Sequence, residues 1–166
     1  MNARKLAAFA GATALAFATF AQAQAPAPAP IPQYGSNITM EQARKVHAAA
    51  EAEARKLGWP MAIAIVDTSG QLVMFSRADN TQTASIPVSQ DKAVSAAMYR
   101  RPTKVMQDAV AGGGAGIRFL NLRSASAVEG GLPLYLDGKI IGAIGVSGMA
   151  SDQDGMIAKA GADSLK

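Results

Sequence analysis

Apolar positions change their period along this chain, and each change marks an element. Ile38-Thr39-Met40-Glu41-Gln42 reads as a helix start: Thr39 can cap the amide of Gln42 while Gln42 reaches back to Thr39, a capping box. Ala43, Val46, Ala50, Ala54 and Leu57 then follow at helical spacing, Gly58 stops the helix and Pro60 prevents its return. Met61 to Val66 is an unbroken apolar run. With the turn Asp67-Thr68-Ser69-Gly70 and the stretch Gln71 to Arg77 it predicts a β-hairpin. Its first strand places Met61, Ile63 and Ile65 on one face and Ala62, Ala64 and Val66 on the other, so both faces are expected to be covered.

Helical spacing returns from Ser85 to Arg100, with Ala93, Val94, Ala97 and Met98 as the expected buried side. Pro102 ends that helix and suits the first turn of another, running to about Val110 and stopped by Gly112-Gly113-Gly114. A short segment lies near Ile117 to Leu122. Leu132 to Leu136, the type I′ turn Asp137-Gly138 and Lys139 to Ser147 form a second hairpin, with Ile140, Ile144 and Val146 on one face and Ile141 and Ala143 on the other. Ser151-Asp152-Gln153-Asp154 reads as a second capping box, opening a last helix whose inner side carries Ile157, Gly161 and Leu165. No internal repeat is present. This order predicts an α/β fold of the α+β sandwich type, an antiparallel sheet of about five strands flanked by helices.

The first residues follow a different logic. Arg4 and Lys5 precede an apolar run from Leu6 to Phe20, which closes on Ala21-Gln22-Ala23. That is the order of a secretory signal peptide, with cleavage after Ala23 or Ala25, and it points to a periplasmic or secreted protein. The run is shorter than the ~20 residues of a membrane span, so a retained anchor is the lesser reading and no span is expected after cleavage. Alternating Pro and Ala from Ala25 to Pro32 can form neither helix nor ladder and read as an extended tether. The expected organisation is a signal peptide at 1–23, an Ala/Pro-rich linker at 24–37 and one domain at 38–166.

Export weakens what the charge suggests. The formal charge is +4, and loss of Arg4 and Lys5 lowers it to +2. With aromatics at 5%, bases would find few stacking platforms, so no nucleic acid is expected as a partner. The chain has no cysteine, which removes disulfides and thiolate chemistry.

Few residues offer chemistry. His47 is the only histidine, at the edge of the first helix's buried stripe, and no H-x-x-x-H or carboxylate cluster surrounds it. It reads as a structural or surface histidine, with a single axial bond to haem iron still open. Gly112-Gly113-Gly114-Ala115-Gly116 lacks the Lys-Ser/Thr of a phosphate loop, and Gly142, Gly145 and Gly148 read best as points of close backbone packing. No G-x-S-x-G elbow occurs. Lys92, Arg100, Arg101 and Lys104 form the strongest charge cluster. The helix start at Pro102-Thr103 could join its guanidinium groups in holding an anion such as a carboxylate. A solvated basic face or an oligomer salt bridge explains the cluster equally well. Tyr99, Met98 and Met106 lie beside it as apolar or ligating neighbours, or as core.

Several spaced motifs agree on a family. Gly130-Gly131-Leu132-Pro133, then Asp137-Gly138-Lys139-Ile140-Ile141-Gly142-Ala143-Ile144-Gly145-Val146-Ser147-Gly148, then Gln153-Asp154 and Ala160-Gly161, resemble the GlcG/HbpS-like haem-binding family. They are also similar to the C-terminal domain of PduO-type proteins. Ala62 to Asp67 with Gly70, and Lys92-Ala93 before Arg100-Arg101-Pro102-Thr103, fit the same pattern, so the resemblance spans about 38–166. It implies a sheet sandwiched by helices, assembly into homo-oligomers and haem binding, in some members with haem breakdown. On that footing Thr103 and His47 are the candidate haem-iron ligands, and Arg100 and Arg101 the partners of the propionates.

Three readings follow: an exported haem or tetrapyrrole binder, an enzyme or binding protein for a small anionic metabolite using the same cationic cluster, and a structural or sensory oligomeric partner. No acid–base pair is visible in the sequence to carry turnover.

Overall fold

The computed structural model describes residues 31–166. The signal peptide expected at 1–23 and the tether residues 24–30 lie outside the described residues. The elements are α1 (Met40–Leu57), β1 (Ala62–Asp67), β2 (Leu72–Arg77), α2 (Ser85–Tyr99), α3 (Thr103–Ala111), a 3-10 helix (Gly114–Asn121), β3 (Gly131–Leu136), β4 (Lys139–Ser147) and α4 (Ser151–Asp163). The strands form one antiparallel sheet in the order β2-β1-β4-β3. The described residues hold four strands, not five, because the segment near Ile117 folds as the 3-10 helix.

Alternation along β1 divides the core as the sequence predicts. Met61, Ile63 and Ile65 pack under α1 and α4 with Val46, Ala50, Ile144, Val146 and Ile157. Ala64 and Val66 pack under α2 with Ala93, Ala96, Ala97 and Ala143. The capping box at Thr39 and Gln42 is present, and Gly58 closes α1 at φ 69°.

Three details differ from expectation, each for a local reason. First, the α1 side of β4 carries Ile141 with Ile144 and Val146, in place of Ile140. Leu134 faces Gly142 but Tyr135 faces Ile140, so one extra residue enters β4 and reverses the alternation there. Second, α2 turns small and polar residues inward: Ser85, Ser89, Lys92, Ala93, Ser95, Ala96 and Ala97 are buried, while Met98 is exposed and Val94 only half-buried. The helix lies so close to β4 that a Cβ on Gly145 would stand 2.0 Å from the Ser89 carbonyl oxygen, leaving no room for large side chains. Third, Ala150, not Ser151, occupies the cap of α4. Gln153 still accepts from the Ala150 amide at 3.1 Å, and Asp154 accepts from Met149 at 3.1 Å.

The tether also ends sooner than position 37. Ile140 N–H donates to Gln33 C=O and Gly35 N–H to Ile140 C=O, both at 2.8 Å, beyond the end of β1. The Tyr34 hydroxyl donates to the Ala97 carbonyl at 2.9 Å, so residues 33–38 belong to the folded body.

Candidate functional site

The predicted basic cluster falls at the corner between α2 and α3. Arg100 caps α2 in the left-handed region, φ 53°, a conformation that a side chain adopts at some cost and that turns the chain sharply into Pro102. Its guanidinium lies 5.3 Å from the Tyr34 ring centroid and donates to the Pro32 carbonyl at 3.3 Å. Arg101 is exposed and donates through Nε to the Tyr99 carbonyl at 3.0 Å, which leaves its outer nitrogens facing solvent. Lys104 is also exposed and pairs with Asp108 at 2.8 Å and, more loosely, with Glu129 at 3.9 Å. The Asp108 carboxylate holds the Lys104 pKa above its ordinary value.

Two members of the predicted site lie elsewhere. Lys92 is 1% exposed, and its ammonium donates to Asp154 at 2.7 Å and to the Val146 carbonyl at 3.0 Å. It ties α2 to β4 and α4 and cannot meet an outside anion. Burial raises the Asp154 pKa, against the pull of Lys92 and the amides of Met149 and Gly148. Thr103 is fully buried, and its Oγ1 accepts from the Gly131 amide at 2.9 Å, so it pins α3 to β3. Met106 is fully buried too, which makes it core.

His47 is remote from this corner in the fold. It is buried on α1, and its Nε2 is hydrogen-bonded to Ser76 Oγ on β2. Burial lowers its pKa below the ordinary 6.5, with Glu51 opposing the shift and Arg55 adding to it. The sign of the consequence is fixed: between the lowered value and 6.5 the unfolded chain binds more protons, so stability falls as pH drops through that window. The urea midpoint is expected to decrease from about pH 7 to about pH 5, and to decrease less in His47→Gln. An equal decrease in both proteins would remove His47 as the source.

What the corner adds is apolar surface. Met98, Val105, Ile117, Leu120, Leu122 and Val128 are exposed, Leu120 to 64%. The Tyr99 hydroxyl donates to the Arg123 carbonyl at 2.7 Å, holding the end of the 3-10 segment against α2, and Arg118 and Arg123 are exposed on that segment. A cleft of about 340 Å³ between Asp91, Val94 and Ser124–Ser126 runs along α2, on the helical face that Val94 shares with Met98. Apolar side chains beside several guanidinium groups can hold a flat apolar molecule with acidic substituents.

As tetrapyrrole ligands the named residues fit unevenly. Arg100, Arg101 and the exposed apolar side chains suit propionates and a macrocycle. Thr103 Oγ1 and His47 Nε2 are both engaged within the protein. The Met98 thioether is the exposed soft donor beside the cluster. Among the described residues no group of three or more His, Asp or Glu could hold a metal ion, and no helix is long and apolar enough to cross a membrane.

Comparison with known proteins shows the family and the fold. The family model described as "Haem degrading protein HbpS-like" matches residues 38–163. Protein GlcG of Escherichia coli (strain K12) is 38% identical over 110 residues, covering 66% of this chain and 81% of that protein. A solved PduOC:haem complex superposes with a TM-score of 0.71 at 25% identity, covering 78% of this chain and 96% of that one. A double mutant of Streptomyces reticuli HbpS superposes with a TM-score of 0.73 at 28% identity, covering 85% and 99%.

Proposed function

This chain belongs to the HbpS-like family, and from that membership we propose that it is an exported haem-binding protein whose α2–α3 corner takes the macrocycle. The observation that carries the reading is the haem complex of a protein sharing this fold over almost its whole length. On this chain it is supported by exposed Met98 next to Arg100 and Arg101, and by exposed Ile117, Leu120 and Leu122 on the segment whose end Tyr99 holds against α2. The two guanidinium groups would hold the propionates through charge-assisted bonds, and haem would supply a redox-active iron once bound. Thr103 Oγ1 or His47 Nε2 would have to release an internal hydrogen bond before reaching iron, whereas the Met98 thioether would not.

Haemin added to the full chain is expected to give a Soret band that saturates at a fixed stoichiometry. The double variant Arg100→Ala, Arg101→Ala is expected to bind at least about tenfold more weakly, since each charged hydrogen bond contributes roughly 1.5–3 kcal/mol. Equal affinity would remove the propionate assignment. Stabilisation by small carboxylates with none by haemin would instead favour an anionic metabolite as the ligand.

Export and assembly complete the proposal. Export predicts that the protein recovered from a periplasmic extract begins at Gln24 or Pro26; recovery with Met1 in place would exclude processing. The exposed apolar corner also supports a homo-oligomer, and a monomeric mass by light scattering would exclude one.

A further inference from the structure

A serine that the sequence did not single out, Ser76, lines a second cleft on the opposite side of the sheet from α2, with the only histidine, His47, buried behind it. Ser76 lies on β2, an edge strand, and pairs with Ile63. Partners directly across a ladder point to the same face, so Ser76 projects with Ile63 toward α1, where it meets His47 Nε2. His47 is buried while Ser76 is partly exposed and lines the cleft, which leaves the hydroxyl accessible with the imidazole behind it. The cleft encloses about 330 Å³, with Trp59, Met61 and Ile63 as apolar wall and Glu51, Arg55, Arg77 and Asp79 among its lining.

We propose that Ser76 and His47 form a nucleophile–base pair that hydrolyses small neutral carboxylic esters bound in this cleft. Geometry comes first: nucleophile and base are already in hydrogen-bond contact, the relation such a pair requires. The protonation state agrees. Burial keeps His47 neutral at pH 7, so Nε2 can accept the hydroxyl proton when the ring carries its other proton on Nδ1. Glu51, one helical turn along α1, favours the imidazolium that forms next.

An oxyanion donor follows from the ladder. The Ala78 amide donates to the Met61 carbonyl, so Ala62 and Arg77 form a pair without mutual hydrogen bonds. The Arg77 N–H therefore points away from β1, out of the sheet edge, one residue after the nucleophile. That is the position from which a backbone amide stabilises a tetrahedral oxyanion. Charge sets the substrate class. Two arginines balance two carboxylates around the cleft, while Trp59, Met61 and Ile63 suit a short apolar acyl chain.

The chemistry balances without a further reagent. Ser76 Oγ bonds to the ester carbonyl carbon as its proton passes to His47. The carbon–alkoxy bond then breaks, and His47 returns that proton to the leaving oxygen as an alcohol. Water attacks the acyl-serine, giving a proton to His47. The acyl–Oγ bond breaks, the acid departs and Ser76 recovers its proton.

The test uses the full chain with p-nitrophenyl butyrate and, separately, a fluorophosphonate probe. The parent is expected to release a burst of p-nitrophenol stoichiometric with protein, and to carry the probe on the peptide containing Ser76. Ser76→Ala and His47→Gln, checked for folding by circular dichroism, are expected to lose at least about a hundredfold in turnover. Absence of both burst and Ser76 adduct in the parent, an adduct on another serine, or undiminished hydrolysis by Ser76→Ala would each overturn the proposal. The adduct site is read on the parent itself, so a variant that fails to fold does not decide the matter. Haem binding at the α2–α3 corner is expected to survive Ser76→Ala, so the two sites are tested separately.

Discussion

Lys92→Met is expected to destabilise the protein by about 3–5 kcal/mol, because it leaves the buried Asp154 carboxylate without its counter-charge. The partners are 1% and 2% exposed, and Lys92 Nζ stands 2.7 Å from one carboxylate oxygen. Removing the ammonium also orphans the Val146 carbonyl, which Lys92 reaches at 3.0 Å. Since a domain of this size holds only about 5–15 kcal/mol in total, thermal unfolding is expected to move down by roughly 10 °C. Only the Met149 and Gly148 amides then oppose burial at Asp154, so its carboxyl should take up a proton at a higher pH than in the parent.

The second variant in that experiment separates charge from packing. Lys92→Met with Asp154→Leu replaces the pair by apolar groups of similar size and is expected to regain most of the loss. Recovery should stop short of complete, because the Val146 carbonyl and the Met149 amide each still lack a partner. A single variant as stable as the parent in urea would show that the pair is not what ties α2 to α4.

This pair also marks where the sequence stops being legible. Lys92 sits in a row of basic residues, and along the chain it belongs with Arg100, Arg101 and Lys104. Its partner lies 62 residues away, in the first turn of α4, and no local pattern joins the two. Thr103 misled in the same way: it opens a helix beside two arginines, yet its hydroxyl serves the Gly131 amide. Ser76 was readable in principle. Alternation sets it two residues from Met74 on the face of β2 that meets α1, and His47 belongs to the buried stripe of α1. What the sequence lacks is the hairpin register that brings those two faces together.

The elements themselves were legible because their signals are local. Thr39 and Gln42, Gly58, and the Asp137-Gly138 turn at φ 49° and 74° each act within four residues. The face of α2 was not, because it depends on glycine in a strand that comes some fifty residues later. Large residues usually mark the buried side of a helix, and here Val94 and Met98 turn outward while serines and alanines turn in. The same inversion exposes Met98 beside Arg100, so the packing that defeated the prediction also makes the candidate haem surface.

Gly145→Ala tests that packing and is expected to cost about 3 kcal/mol, at the upper end of ordinary overpacking. The added methyl would stand 2.0 Å from the Ser89 carbonyl oxygen and 2.5 Å from the Ala93 amide nitrogen. Both are backbone atoms, so no side chain can turn away and the whole of α2 must retreat from β4. Gly155→Ala supplies the contrast, since the atoms nearest its methyl belong to the flexible Glu129 side chain, and it should cost far less. Gly138→Asn is a second control: no atom crowds that position, and asparagine tolerates its φ of 74°. Because α2 also carries Met98 and is capped by Arg100, its retreat should weaken haemin binding along with stability. Urea unfolding and haemin titration of the three variants should therefore single out Gly145→Ala in both measurements. Gly145→Ala as stable as Gly155→Ala would mean that α2 can shift freely, and close contact with the sheet would no longer explain its small-residue face.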